Sequence, residues 1–267
     1  MRGTCNNWEA RPRMPSDVPI DLLIFFGSSF VGALVGALVG GVAGFAFGLI
    51  ASAIWLHAIT PAQSAPLIAA FAIIIQGATL WELRQALEPS RLVPFLLGAA
   101  LGIPLGAEIL LWASPSLMRS LVGLVLVLFS IYGLVRPKLI SVNGGKIADG
   151  LVGVACGFMG GSTGLAGIPV IVWSTLRRWS KDEQRAVFQP VVVAIFAMTL
   201  VWLGGCGMVT SDTVRLFLLG LPAVLLGTWL GFSLYGKLDE ATFRNVVLVL
   251  LLFSGLTLLP SALMTSI

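Results

Sequence analysis

Few side chains in this sequence could do chemistry, and most of them lie inside apolar runs. Gln76 and Gln189 are amides in uncharged stretches, Glu108 is the acid deepest in such a stretch, and Arg185 stands one helical turn before Gln189. A guanidinium fork matches the planar oxygens of a sulfonate or carboxylate, and an amide offers two N–H donors without a charge. An acid within a membrane span is a functional candidate by default. The set reads as one that could hold a small anion. Each member also has a plainer reading: Arg185 as an orienting charge at a helix end, and the amides as ties between helices. Glu108 could carry a coupling proton, or pair with Arg119. Ser162 and His57 are the nucleophile and base that an intramembrane hydrolase would need, but no acid accompanies them.

Other chemistries have less to stand on. Cys5, Cys156 and Cys206 lie far apart, and His57 is the one histidine, so neither a disulfide framework nor a metal site is indicated. No phosphate-binding glycine loop of the nucleotide-hydrolase kind appears, and no cofactor is expected. No basic patch interleaved with aromatics suggests nucleic acid. Arg177, Arg178 and Lys181 read as loop charges that orient the chain.

These residues must be positioned by helices in a bilayer. Hydrophobic residues make up 57% of the chain and charged ones 10%, against about 25% charged in a water-soluble domain. The expected fold is an all-α polytopic membrane protein. Charges, prolines and turn clusters divide it into eight apolar segments, at 22–58, 63–81, 92–112, 117–135, 147–176, 186–206, 213–235 and 243–262. The stretch "LVGGVAGFAFG" at 38–48 aligns with "LVGVACGFMGG" at 151–161, "FLLG" at 95–98 recurs at 217–220, and Arg119 falls opposite Arg244. The chain therefore divides into a polar tail (1–21), a four-segment repeat (22–136), a connecting loop (137–146) and a second repeat (147–262). Internal duplication with the site near the repeat interface is the plan of many secondary transporters.

The first segment of each repeat is unusual. As one helix, residues 22–59 would be about 57 Å long at 1.5 Å per residue, nearly twice a hydrocarbon core of about 30 Å. A span or partial span followed by a returning half-helix fits better. The basic residues weigh the alternatives. Eight plain crossings put nine inside and seven outside; returning only segment five gives fourteen and two; returning segment one as well, with the tail outside, gives eleven and five. Both returning versions satisfy the positive-inside rule better, and both invert one repeat relative to the other. A re-entrant fifth segment is the preferred reading, with the side of the tail left open.

Glycines carry the rest. Gly32, Gly36, Gly40, Gly44 and Gly48, and likewise Gly98, Gly102 and Gly106, recur every four residues, the spacing that lets membrane helices pack closely and would also let two copies pair as a homodimer. "GGSTG" (Gly160, Gly161, Ser162, Thr163, Gly164), with Pro169 just beyond, reads instead as a break and restart. Ser162 and Thr163 are natural N-caps for the second half-helix. Irregular backbone at membrane depth is tolerated only inside protein or along a wet cavity, and a half-helix start aims N–H groups and partial positive charge at an anion. A matching break at "GVAGFAFG" would bring Gly44, Phe45 and Gly48 to the same place.

At these residues the sequence resembles the sulfite exporter TauE/SafE family of membrane permeases. "GFMGGSTGLAGIPVIVWSTLRRWSKDEQRA" (157–186) is similar to the family's G-x-x-G-G-x-x-G-x-x-G-x-P stretch, followed by a basic loop and an Arg-Ala pair, here Arg185-Ala186. The first half departs from that pattern: "GFAFGLIASAIW" has no proline before Pro61. The resemblance implies a carrier in the bacterial inner membrane that moves small organosulfur anions such as sulfite or sulfonates, several members being exporters. The other readings are a membrane subunit that does not transport and, further off, the serine hydrolase.

Overall fold

A computed structural model describes residues 27, 30–37, 46–83, 88–135, 142, 144–234 and 240–259. The tail 1–21, most of the loop 137–146, and the sequence candidates Gly44 and Phe45 lie outside the described residues. After a helical stretch at 30–37 come α1 (Phe47–Trp55), α2 (Pro61–Leu83), α3 (Pro89–Trp112), α4 (Pro115–Val135) and α5 (Lys146–Thr163). Then follow α6 (Gly167–Leu176), α7 (Lys181–Gly205), α8 (Ser211–Leu234) and α9 (Glu240–Leu258). No strand occurs among the described residues. Among the described residues, four helices are long and apolar enough to cross a membrane: Pro89–Trp112, Pro115–Val135, Glu183–Gly205 and Ser211–Gly231.

Helix starts at the ends of the bundle are built from local chemistry. Ser180 and Glu183 form a reciprocal capping box for α7, with Ser180 N–H donating to Glu183 Oε2 at 2.9 Å. Ser114 Oγ accepts from Leu117 N–H at 3.3 Å ahead of α4, and Thr210 Oγ1 accepts from Thr213 N–H at 3.3 Å ahead of α8. Pro61, Pro89 and Pro115 each open a helix, where the missing N–H would have been unpaired in any case.

The closest packing joins α3 and α5, which run parallel. Gly98, Gly102 and Gly106 lie against the backbone of Gly150, Val154 and Phe158. In return Gly153, Gly157 and Gly161 lie against Phe95, Ala99 and Ile103. Two stripes of glycine at four-residue spacing thus meet along one seam, and backbones approach where no Cβ intervenes. A smaller version joins α4 to α9, where a Cβ at Gly123 would stand 2.8 Å from the Gly255 carbonyl, and one at Gly255 would stand 2.8 Å from that of Gly123.

These contacts define two ends. Arg91 approaches Glu183 at 3.9 Å, and Asp149 binds Arg177 at 3.0 Å, so the starts of α3, α5 and α7 and the close of α6 share the Asp149 end. The opposite, His57 end gathers the end of α1, the start of α4 and the end of α9. There His57 Nε2 lies 3.1 Å from Thr257 Oγ1, and Ser120 Oγ donates to the Leu259 carbonyl at 3.1 Å.

Neither first segment is one helix. The stretch 30–37 and α1 run antiparallel, with Gly32 against Trp55 and Gly36 against Phe47. α5 and α6 also run antiparallel, closed by the Asp149–Arg177 pair. In that clasp Trp173 Nε1–H donates to Asp149 Oδ1 at 2.8 Å, and the Arg177 guanidinium lies over the Trp173 and Trp179 rings at 5.8 and 5.6 Å. Arg177 is therefore a structural tie rather than the loop charge its position suggested. Trp55 and Trp173, at segment ends where lipid-interface anchors are expected, are buried instead. Trp55 packs with Phe47 and Phe71, while Trp112 and Trp229 are exposed on the outer face.

Candidate functional site

The turn between α5 and α6 differs from the expected one. Ser162 and Thr163 do not cap a new helix; they finish the old one, their hydroxyls donating back to the carbonyls of Phe158 at 2.7 Å and Met159 at 2.8 Å. Hydroxyls within a helix find such a carbonyl one turn back, and α5 continues until Gly164. Gly164 adopts φ +76°, which a residue with a Cβ disfavours, and its N–H returns to the Gly160 carbonyl at 3.1 Å as a left-handed C-cap. α6 then begins at Gly167, with Ala166 as its N-cap and no side-chain cap bond. Pro169 falls in the first turn of α6, where its missing N–H interrupts nothing.

α1 begins in the same manner. Its N-cap is Ala46, again without a side-chain cap. Hydroxyls cap α4, α7 and α8, whereas α1 and α6, like α3 and α5 at the Asp149 end, have no side-chain cap. The first N–H groups of a helix have no partner within it, although in α6 Ile168 N–H already donates to the Leu165 carbonyl at 3.4 Å and Pro169 has no N–H, which leaves Gly167 as the donor at that start. The two starts meet, because a Cβ on Gly48 would stand 3.4 Å from the Gly164 carbonyl. From that point α1 runs to the His57 end and α6 to the Asp149 end.

A small cavity, about 20 Å³, lies where they meet. Gly48 and Leu49 of α1, Gly164 and Leu165 of the break, and Gly167, Ile168 and Ile171 of α6 line one side. Ala72 and Gln76 of α2 and Phe188, Val192 and Phe196 of α7 line the other. Gln76 is 6% exposed, and its Oε1 has no hydrogen-bond partner among the described residues. A buried amide oxygen left unpaired costs on the order of 1–3 kcal/mol, so a hydrogen-bond donor received by the cavity is its natural partner.

Of the sequence candidates, the structure brings Gly48, Gln76 and Gly164 to this cavity. Gln189 is 2% exposed, with an unpartnered Oε1, on α7 beside Phe188. Arg185 is exposed one turn earlier. Gly160 and Gly161 are buried in packing, Gly160 near Ala166, Ile195 and Thr199, and Gly161 against Ile103. Glu108 is half-buried and accepts from Trp112 Nε1–H at 3.0 Å. His57 is held by the Ala53 carbonyl at 2.9 Å and by Thr257, so both its ring nitrogens are engaged away from Ser162.

Sequence reasoning missed the apolar lining. Phe188, Val192 and Phe196 recur every four residues beside Gln189, and Ala72 precedes Gln76 by four. That periodicity was available, but an apolar helix face gives no sign of whether it meets lipid, protein or a cavity. Among the described residues no group of His, Cys, Asp and Glu could hold a metal.

Fold and site together describe an all-helical protein with helices long and apolar enough to cross a membrane and a small, mostly apolar cavity beside the starts of α1 and α6. The chain belongs to the sulfite exporter TauE/SafE family, whose model matches residues 29–258. Members of that family are membrane transporters of sulfite and related anions rather than enzymes. Comparison with curated proteins and with solved structures returned no match.

Proposed function

We propose that the protein is a secondary transporter, in the exporting direction, of a small organosulfur anion such as sulfite or a sulfonate, held where α1 and α6 begin. One observation carries this reading: two helix starts without side-chain caps converge on one cavity with buried Gln76, whose Oε1 has no hydrogen-bond partner among the described residues. Helix starts attract anions through oriented N–H groups, and Gln76 adds donors once its amide turns.

The two half-helices support an inverted repeat, since they leave one point for opposite ends. Gly32 against Trp55, and Asp149 against Arg177, favour both first segments returning to the side they came from. That is the arrangement for which the sequence count, with the tail outside, gives eleven basic residues inside and five outside, in accord with the positive-inside rule. The membrane would be the bacterial inner membrane. A cavity of about 20 Å³ holds roughly one water molecule. Loading a sulfite-sized anion therefore requires α2 and α7 to separate, which rocking of one repeat against the other would supply. Arg185, one turn outside Gln189, would gather anions at the mouth.

Thermal stability of the detergent-purified protein tests the reading. Sulfite or methanesulfonate at about 100 times its Kd would add roughly 2.7 kcal/mol. Gln76→Leu should lose most of that shift while melting, without ligand, near the native temperature. A native protein whose melting no small anion moves would not be this transporter.

A further inference from the structure

The cavity lining carries no charge. Leu49, Leu165, Ile168, Ile171, Phe188 and Phe196 are apolar, and Gln76 is polar but neutral. Among the described residues, the charged and titratable groups on the surrounding elements lie elsewhere. Asp149 and Arg177 neutralise each other at the clasp. Glu183 is engaged with Ser180 at the start of α7, and Arg185 is exposed a turn above Gln189. The Cys156 thiol is buried on α5, hydrogen-bonded with the backbone of Val170 on α6.

Among the described residues that line the cavity, the positive potential available to a bound ligand comes from the starts of α1 and α6. Each is worth about half an elementary charge, so the pair offers about one. Resting on the transport reading above, we propose that the site admits an anion carrying one negative charge and rejects the doubly charged form of the same group. A monoanion is matched. A dianion would bring about one uncompensated charge into an apolar surround, which is costly.

The consequence for sulfite is chemical. The species carried would be hydrogen sulfite, and sulfonates, singly charged at neutrality, would compete with it. Hydrogen sulfite releases its proton on reaching a more alkaline side, forming sulfite. One proton thus travels with each anion, and no separate proton-carrying side chain is needed.

The test uses the purified full-length protein at fixed ionic strength, with binding read by calorimetry. Methanesulfonate and sulfate present similar oxygens at charges of one and two. Methanesulfonate should bind at least about tenfold tighter, with an affinity independent of pH. The apparent affinity for total sulfite should fall as pH rises through sulfite's own second ionisation. Sulfate binding as tightly as methanesulfonate, or a sulfite affinity that holds or rises with pH, overturns the charge rule and leaves the anion site standing. If methanesulfonate, hydrogen sulfite and sulfate all fail to bind, the site itself is wrong, and the rule falls with it.

Discussion

Adding one methyl group at Gly102 would drive it into the backbone of α5, where Phe158 N would lie 2.8 Å away and the Val154 carbonyl closer still. Backbone cannot rotate aside as a long side chain can, so the helices must separate. Gly102→Ala is expected to lower stability by about 1–3 kcal/mol. Gly77→Ala is the matched control, because that position on α2 meets nothing within 4 Å, and there alanine should be neutral or stabilising by up to about 1 kcal/mol. Thermal melts of the two variants separate the cases, and equal melting temperatures would mean that the α3–α5 seam is not the close contact described. The same sequence signal, a lone glycine in an apolar helix, has opposite meanings at the two positions, and only the neighbour across the seam distinguishes them.

At the scale of elements, the return of α6 along α5 is secured by one clasp. Asp149 accepts from both Arg177 and Trp173, and the ion pair is only 26% and 13% exposed on its two sides, so water screens it incompletely. Asp149→Ala should cost about 1–2 kcal/mol, as should Arg177→Ala. The double variant should lose less than the two losses added together, because both remove one interaction. Strict additivity in a denaturation series would show that the clasp does not hold the hairpin. Composition and glycine spacing had suggested a break in this segment, yet placed the cap wrongly. Ser162 and Thr163 have the right chemistry for a cap, but a hydroxyl in a continuing helix is equally satisfied by the carbonyl one turn back, and the choice fell to Gly164 three-dimensionally packed against Ile68.

For the whole molecule, the antiparallel hairpins bear on which loops share a side. With the native cysteines removed, single cysteines at Lys146 and Lys181 should react with a membrane-impermeant maleimide from one face of the membrane, and cysteines at Ser114 and Arg215 from the other. Labelling of positions 146 and 181 from opposite faces would require α5 and α6 to cross as one span, and the half-helix arrangement would be lost. Apart from the fifth segment, which is two helices, the segments from the second onward match single helices with ends a few residues off, since each is an apolar run bounded by charge or proline. The lining of the cavity was not legible, because a face of Phe188, Val192 and Phe196 looks the same in sequence whether it meets lipid or a ligand.

By itself, the amino-acid sequence determined the solvent and the scale: 57% hydrophobic residues in long runs can be satisfied only by helices in a bilayer, and glycine with proline inside such runs marks where a helix is weak. Tertiary structure alone decided which weak points become breaks, that two of them meet, and that Gln76 is left facing the place where they do. Local composition sets the cost of breaking a helix. Contacts between segments distant in the chain determine where that cost is met.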